Sequence, residues 1–340
     1  MSPPPKRART SSSTEDEAAA EAEDHPKLKQ HETLWFEDGN IVLATDVHLY
    51  CVHRGVLARN STVFKDMLEL PNVGNAWNNE MESAVVEDSW EGKPKVRMVG
   101  DNDEDVYLLL MVLYDVGFYS DHKPTTLPTI LSLLRMSTKY DFSRIRSEVT
   151  SHLERAYPRE LDAMGERNFE DLFLNYDDLS SDYDLQLLVV AEQCNLKSIL
   201  PVLYLDCVTS PMDTILQASR DLRLKNHQIE KLLRGHERMV RYAHEYGIIQ
   251  FAPQQYCTMS CTKARGELLQ NYVIVPQEYP VQALLEEEVP NDDDDARLRK
   301  AICKTCAKTI SASLKEFRLQ VWNSIPDLFD LGTWEDVRRD

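Results

Sequence analysis

The stretch that decides the fold runs from Leu34 to Pro71, LWFEDGNIVLATDVHLYCVHRGVLARNSTVFKDMLELP. Two apolar triplets, Leu34-Trp35-Phe36 and Ile41-Val42-Leu43, flank Asp38-Gly39. Asp-Gly between apolar runs signals a two-residue hairpin, because both turn positions need positive φ. The first two strands are therefore expected to pair with each other. After Thr45-Asp46, the run Val47 to Val52 offers a third strand, with Val47, Leu49 and Cys51 facing one way and His48, Tyr50 and Val52 the other. From His53 the apolar spacing becomes helical. Val56, Leu57, Phe64, Met67 and Leu68 are the inward candidates, Ser61 is placed to cap a second helix, and Pro71 ends it.

Residues 71 to 94 are polar and loop-like, with Trp77 and Trp90 expected at the surface, and Lys95 to Val99 alternates as a short fourth strand should. Helices are expected over Asp103 to Tyr114, which is apolar on nearly every face, Leu127 to Tyr140, and Ile145 to Tyr157. Beyond Pro158 the pattern stays helical: Glu166 to Leu174, Tyr183 to Cys194, Leu196 to Ser210, Met212 to Arg220, and a long polar helix from Asn226 to Tyr246 closed by Gly247 and Pro253. Strand signals in the first half and helices after it predict an α+β fold: a small sheet covered by a helical cluster, then an all-helical C-terminal region.

At 340 residues the chain exceeds one ordinary core. The expected division is a disordered tail over 1–31, an α+β unit over 32–157, a helical region over 158–250, and a C-terminal helical segment over 251–340. That last segment carries two cysteine pairs, an acidic loop from Glu286 to Asp295, and the closing motif Val321 to Phe329. A net charge of −19 repels phosphate, which disfavours direct DNA or RNA binding. The N-terminus lacks an apolar signal region and no run of about 18 apolar residues occurs, so the expectation is an intracellular protein of nucleus or cytoplasm with no membrane span. Seven cysteines, an odd and sparse set, suit a reducing compartment. The cluster Lys6-Arg7-Ala8-Arg9 is similar to a short nuclear import signal, and equally to a solvated tail.

No phosphate loop, HExxH or GxSxG is present, so no enzyme is expected. His227, His236 and His244 are spread around one polar helix and are expected to be solvated. Cys51, Cys194 and Cys207 sit in apolar stretches, as core thiols do. Cys257-x-x-x-Cys261 and Cys303-x-x-Cys306 leave two readings open. Four thiolates from two close pairs suit a structural zinc ion and leave it no open position for catalysis. Idle or buried thiols are the other and better-weighted reading, because the second pair is expected inside a helix and the first is looser than a zinc knuckle.

The 34–71 stretch resembles the opening of a BTB/POZ domain, and the residues that carry the likeness are His53, Arg54, Leu57, Ala58, Ser61, Phe64 and Met67. The wording Asp38-Gly39-Asn40-Ile41-Val42-Leu43, with the late Cys-x-x-Cys and Trp322-x-x-Ile325-Pro326-x-x-Phe329, is similar to the BTB proteins of basidiomycete fungi. Animal members usually open instead with an Asp-Val-x-Leu strand. The resemblance implies a protein-binding scaffold or adaptor, a homodimer formed through residues 33 to 64, and recruitment of a cullin ubiquitin ligase. A nuclear regulator that gathers co-repressors is the alternative. In either case Leu57, Phe64 and Met67 are expected to pack, Ser61 to cap, and His53 to fix the strand-to-helix corner.

Overall fold

A computed structural model describes residues 28–69, 89–252, 257–274 and 293–339. Residues 1–27 of the expected tail, Trp77 and Glu286 to Asp292 lie outside the described residues, whereas Lys29 to His31, expected in that tail, open the first strand because they pair with the chain at His48 and Leu49. The fold is mixed α+β. Its sheet has five strands in the order β1-β3-β2-β5-β4, formed by β1 (Lys29–Trp35), β2 (Ile41–Ala44), β3 (His48–Val52), β4 (Ser89–Trp90) and β5 (Lys93–Arg97).

The hairpin expected around Asp38-Gly39 does not form. β1 pairs in parallel with β3, and the hairpin joins β2 to β3 instead. Its turn is closed by a side chain: Thr45 Oγ1 accepts the N–H of Val47 at 3.2 Å and of His48 at 2.9 Å. Gly39 is needed for close approach rather than for positive φ, since a Cβ there would lie 2.6 Å from Cys51 Sγ and 2.9 Å from the Phe36 carbonyl oxygen. Positive φ occurs at Glu91 and Gly92, the two residues turning β4 into β5.

Both faces of the sheet are covered. Ile41, Leu43, Tyr50 and Val52 point into the main core, and Val42, Ala44, Leu49 and Cys51 form a second cluster beneath Leu28, Trp35 and Trp90. Trp90 is thus a packing residue, not the exposed loop tryptophan its polar neighbourhood suggested.

The helical side begins with α1 (Arg54–Asn60) and α2 (Thr62–Glu69). Ser61 Oγ accepts the Phe64 N–H at 2.9 Å, the expected cap. Leu57 and Phe64 are buried, with Phe64 stacked on Tyr140 at 5.1 Å between ring centroids. Met67 and Val56 are only half-buried, a correction that follows from their place at the flank of the α1–α2 pair. The His53 N–H donates to the Tyr114 hydroxyl at 2.9 Å and the Arg54 guanidinium to the Leu68 carbonyl at 3.1 Å, so both hold the corner.

Next come α3 (Asp103–Tyr114), α4 (Leu127–Lys139) and α5 (Ser143–Ala156), close to the expected spans. Asp103 ties α3 to the sheet: it accepts from Thr45 Oγ1, from Tyr50 OH at 3.0 Å, and meets His48 Nδ1 at 2.7 Å. Between 161 and 178 the expected helix is replaced by three short 3-10 turns, Leu161–Glu166, Phe169–Asp171 and Tyr176–Asp178. Aromatic packing wins there, with Phe169 stacked on Tyr176 and edge-on to Tyr157.

The remaining helices are α6 (Tyr183–Gln193), α7 (Leu200–Thr209), α8 (Met212–Asp221), α9 (Asn226–Phe251), α10 (Met259–Ile274), α11 (Asp293–Lys300), α12 (Lys304–Leu328) and α13 (Trp334–Arg338). The main core runs without a break from Leu34 to Val337, crossing Pro158. Gly247 does not end α9: it is buried, and packing outweighs its weak propensity. The acidic run is not all loop, because its last three residues open α11. The closing motif docks as expected, with Phe329 stacked on Tyr204 at 4.9 Å and Trp322, Ile325 and Phe329 buried.

Candidate metal centre

Two helix starts meet. Cys257 lies two residues before α10, and Cys261 falls in its first turn, where its N–H donates to Thr258 Oγ1 at 3.3 Å. Cys303 is the N-cap of α12, and its sulfur accepts the N–H of Cys306 at 3.5 Å. The second pair therefore straddles a helix start and is not a mid-helix pair, which corrects the premise that favoured idle thiols. Both pairs also sit at the positive end of a helix dipole, where thiolates are favoured.

The four sulfurs of Cys257, Cys261, Cys303 and Cys306 all lie within 4.8 Å of one another. Cys257 Sγ is 3.6 Å from Cys303 Sγ and 3.4 Å from Cys306 Sγ. A disulfide needs about 2.05 Å, and all four cysteines are free. Tetrahedral coordination with metal–sulfur bonds of about 2.3 Å places sulfurs about 3.8 Å apart, close to what is seen. The cluster can hold a metal ion. Cys261 and Cys306 are buried, whereas Cys257 and Cys303 are partly exposed and offer an entry path.

The thiols differ in acidity. The Cys306 N–H, then Cys257, pull the Cys303 thiol down to about 7. Cys257, hydrogen-bonded first to Cys261 and then to Cys306, is pushed up to about 12. A bound cation would displace the protons of the thiols it takes as ligands.

Arg265 was not singled out by sequence, although it follows Cys261 by one helical turn. It is 1% exposed, its Nη2 donates to the Ile249 carbonyl at 3.3 Å, and it hydrogen-bonds Cys306.

The histidines of α9 do not converge. His236 Nδ1 lies 3.2 Å from the Val208 carbonyl oxygen, His244 is exposed, and His227 pairs with Glu192 at 3.1 Å. His227 and Glu192 line a cleft of about 460 Å³ with Lys225, Asp330 and Asp336. Cys51, Cys194 and Cys207 are buried and far from a shared site, as core thiols.

No described helix is long and apolar enough to cross a membrane. Comparison with family models, curated proteins and solved structures gives no match.

Proposed function

We propose that this chain is a non-enzymatic protein-interaction adaptor with a BTB/POZ-type unit over residues 32–157, self-associating through its first strand and helices. The observation that carries the reading is the open edge of β1. Among the described residues that strand borders only β3 and exposes Lys29, Gln30, Glu32 and Thr33, so its outer edge is left for another chain. The motif residues support it, since His53, Arg54, Leu57, Ser61 and Phe64 are engaged in capping and packing and none faces a reaction cleft.

The tetrathiol cluster holds a structural zinc ion. With four sulfur ligands the ion has no open position, and it ties α10 to α12 as a substitute for apolar core. The adaptor recruits a cullin through α3 and the helices after Pro158. Affinity purification of the tagged chain from cells of its source tests this directly. Recovery of a cullin supports the adaptor reading, whereas recovery of co-repressors without a cullin favours the nuclear regulator that the Lys6 to Arg9 cluster suggests. A chain that recovers neither, and turns over a substrate, overturns both.

A further inference from the structure

One zinc ion and four thiolates sum to a charge of −2 within a largely buried site. Arg265 is a buried group of opposite sign on the same helix face as Cys261. A guanidinium stays charged in a protein and is almost never fully buried without an anion. Among the described residues Arg265 forms no ion pair with a carboxylate. One of its nitrogens serves the Ile249 carbonyl, in the last turn of α9, as a helix C-terminal cap would. Among the described residues Nε and Nη1 have no partner, and together they carry three of the five N–H bonds. Capping alone leaves most of the donor set and the whole charge unexplained.

We propose that Arg265 is the charge-compensating partner of the metal centre, donating to the Cys306 thiolate and reducing the net charge of the buried unit from −2 to −1. This rests on the zinc reading above. Arg265 is a positioning residue: it touches a ligand, not the ion. Its placement follows from the helix, since the i and i+4 positions put a ligand and its counter-charge on one face. Removing the positive charge raises the energy of the sulfur lone pairs. The centre should then take up protons at higher pH and release its ion more readily.

The test uses the full chain, stripped of metal under reducing conditions and titrated with Co²⁺ alone. The parent chain is expected to bind one equivalent with the sulfur-to-cobalt charge-transfer absorption of a tetrahedral tetrathiolate. Arg265→Met should still bind at saturating Co²⁺, but with the band at lower energy, affinity lower by about 10- to 100-fold, and half-release at higher pH. A merely structural arginine would leave the band of the saturated protein in place. An unshifted band and release curve overturn the Arg265 role while leaving the metal centre intact, whereas no cobalt band in the parent chain overturns both. If near-ultraviolet dichroism shows that Arg265→Met does not fold, Arg265→Lys decides. It keeps the charge but loses the planar fork, so the band must shift the same way by less, and an unmoved band counts against the proposal.

Discussion

Asp206 holds the Arg167 guanidinium at 2.7 Å, while its neighbour Asp184 accepts from the Tyr157 hydroxyl at 2.6 Å. Two carboxyls thus share one cation in a region largely shielded from water. Burial first, and then repulsion from Asp206, push the Asp184 carboxyl up to about 7 from its ordinary 3.8. A raised folded-state value means that the folded chain binds the proton more tightly than the unfolded one. The resulting stability is fully present below pH 3.8 and is lost as pH rises toward 7. Asp184→Asn should remove that loss, making the variant more stable than the parent at pH 8 relative to pH 5 by about 2 kcal/mol. Urea unfolding at the two pH values measures it, and identical pH slopes in both proteins would rule the pair out as the cause.

Gly235 lies in the middle of α9, where alanine normally stabilises. Here a Cβ would meet Phe329 Cε1 at 2.5 Å and Val208 Cγ1 at 2.9 Å. Gly235→Ala is expected to destabilise the chain by about 1–3 kcal/mol through overpacking. A rise in thermal midpoint would show that Phe329 does not sit against this helix.

Phe64→Ala should cost about 3–5 kcal/mol by leaving a cavity beside Tyr140 and Phe142. Half-buried Met67→Ala should cost clearly less. If chemical denaturation ranks the two in the opposite order, the register of α2 is wrong.

Metal removal separates the two readings of the cysteines. Protein purified without chelator should carry close to one zinc per chain by elemental analysis, and Cys303→Ser or chelation should speed proteolysis of the segment after Phe251. Metal well below one equivalent, with cleavage unchanged by chelator, would leave Trp322, Ile325 and Phe329 as the anchors of that segment.

Light scattering at micromolar concentration should report a species near twice 39.2 kDa. Thr33→Pro, at a position whose N–H donates to the His31 ring rather than to β3, should lower the mass toward the monomer by blocking strand addition. A monomeric parent chain would refute self-association altogether.

What the sequence made legible is what depends on local periodicity. The helices of Asp103–Tyr114, Leu127–Lys139 and Met212–Asp221 follow from the spacing of their apolar residues, and Ser61 from the chemistry of a cap. The parallel β1–β3 pairing was not legible, because Asp38-Gly39 carries the same letters whether glycine supplies positive φ or makes room for Cys51. The 3-10 turns near Phe169 follow from contacts with Tyr157 and Tyr183 that no local pattern shows. At the candidate metal centre the ligand spacing was visible. Its geometry turned on Cys303 being an N-cap, one residue from the helix expected to contain it. Arg265 stood one turn from Cys261 in plain view, but an arginine in a polar helix gives no sign that it is buried. Asp184 and Asp206 stand in apolar helices, but the meeting of the two carboxyls over Arg167 is a tertiary contact that no local pattern shows.

Cys51 lies under Trp35 and Trp90 with no exposed surface, and the Lys93 ammonium is 3.2 Å from its sulfur. No alkylating reagent reaches that sulfur while the two indoles stay in place. The rate at which Cys51 is labelled in the native protein therefore serves as a clock for the parting of Trp35 and Trp90 from the sheet, recording how often its outer cover opens without any probe being added to the chain.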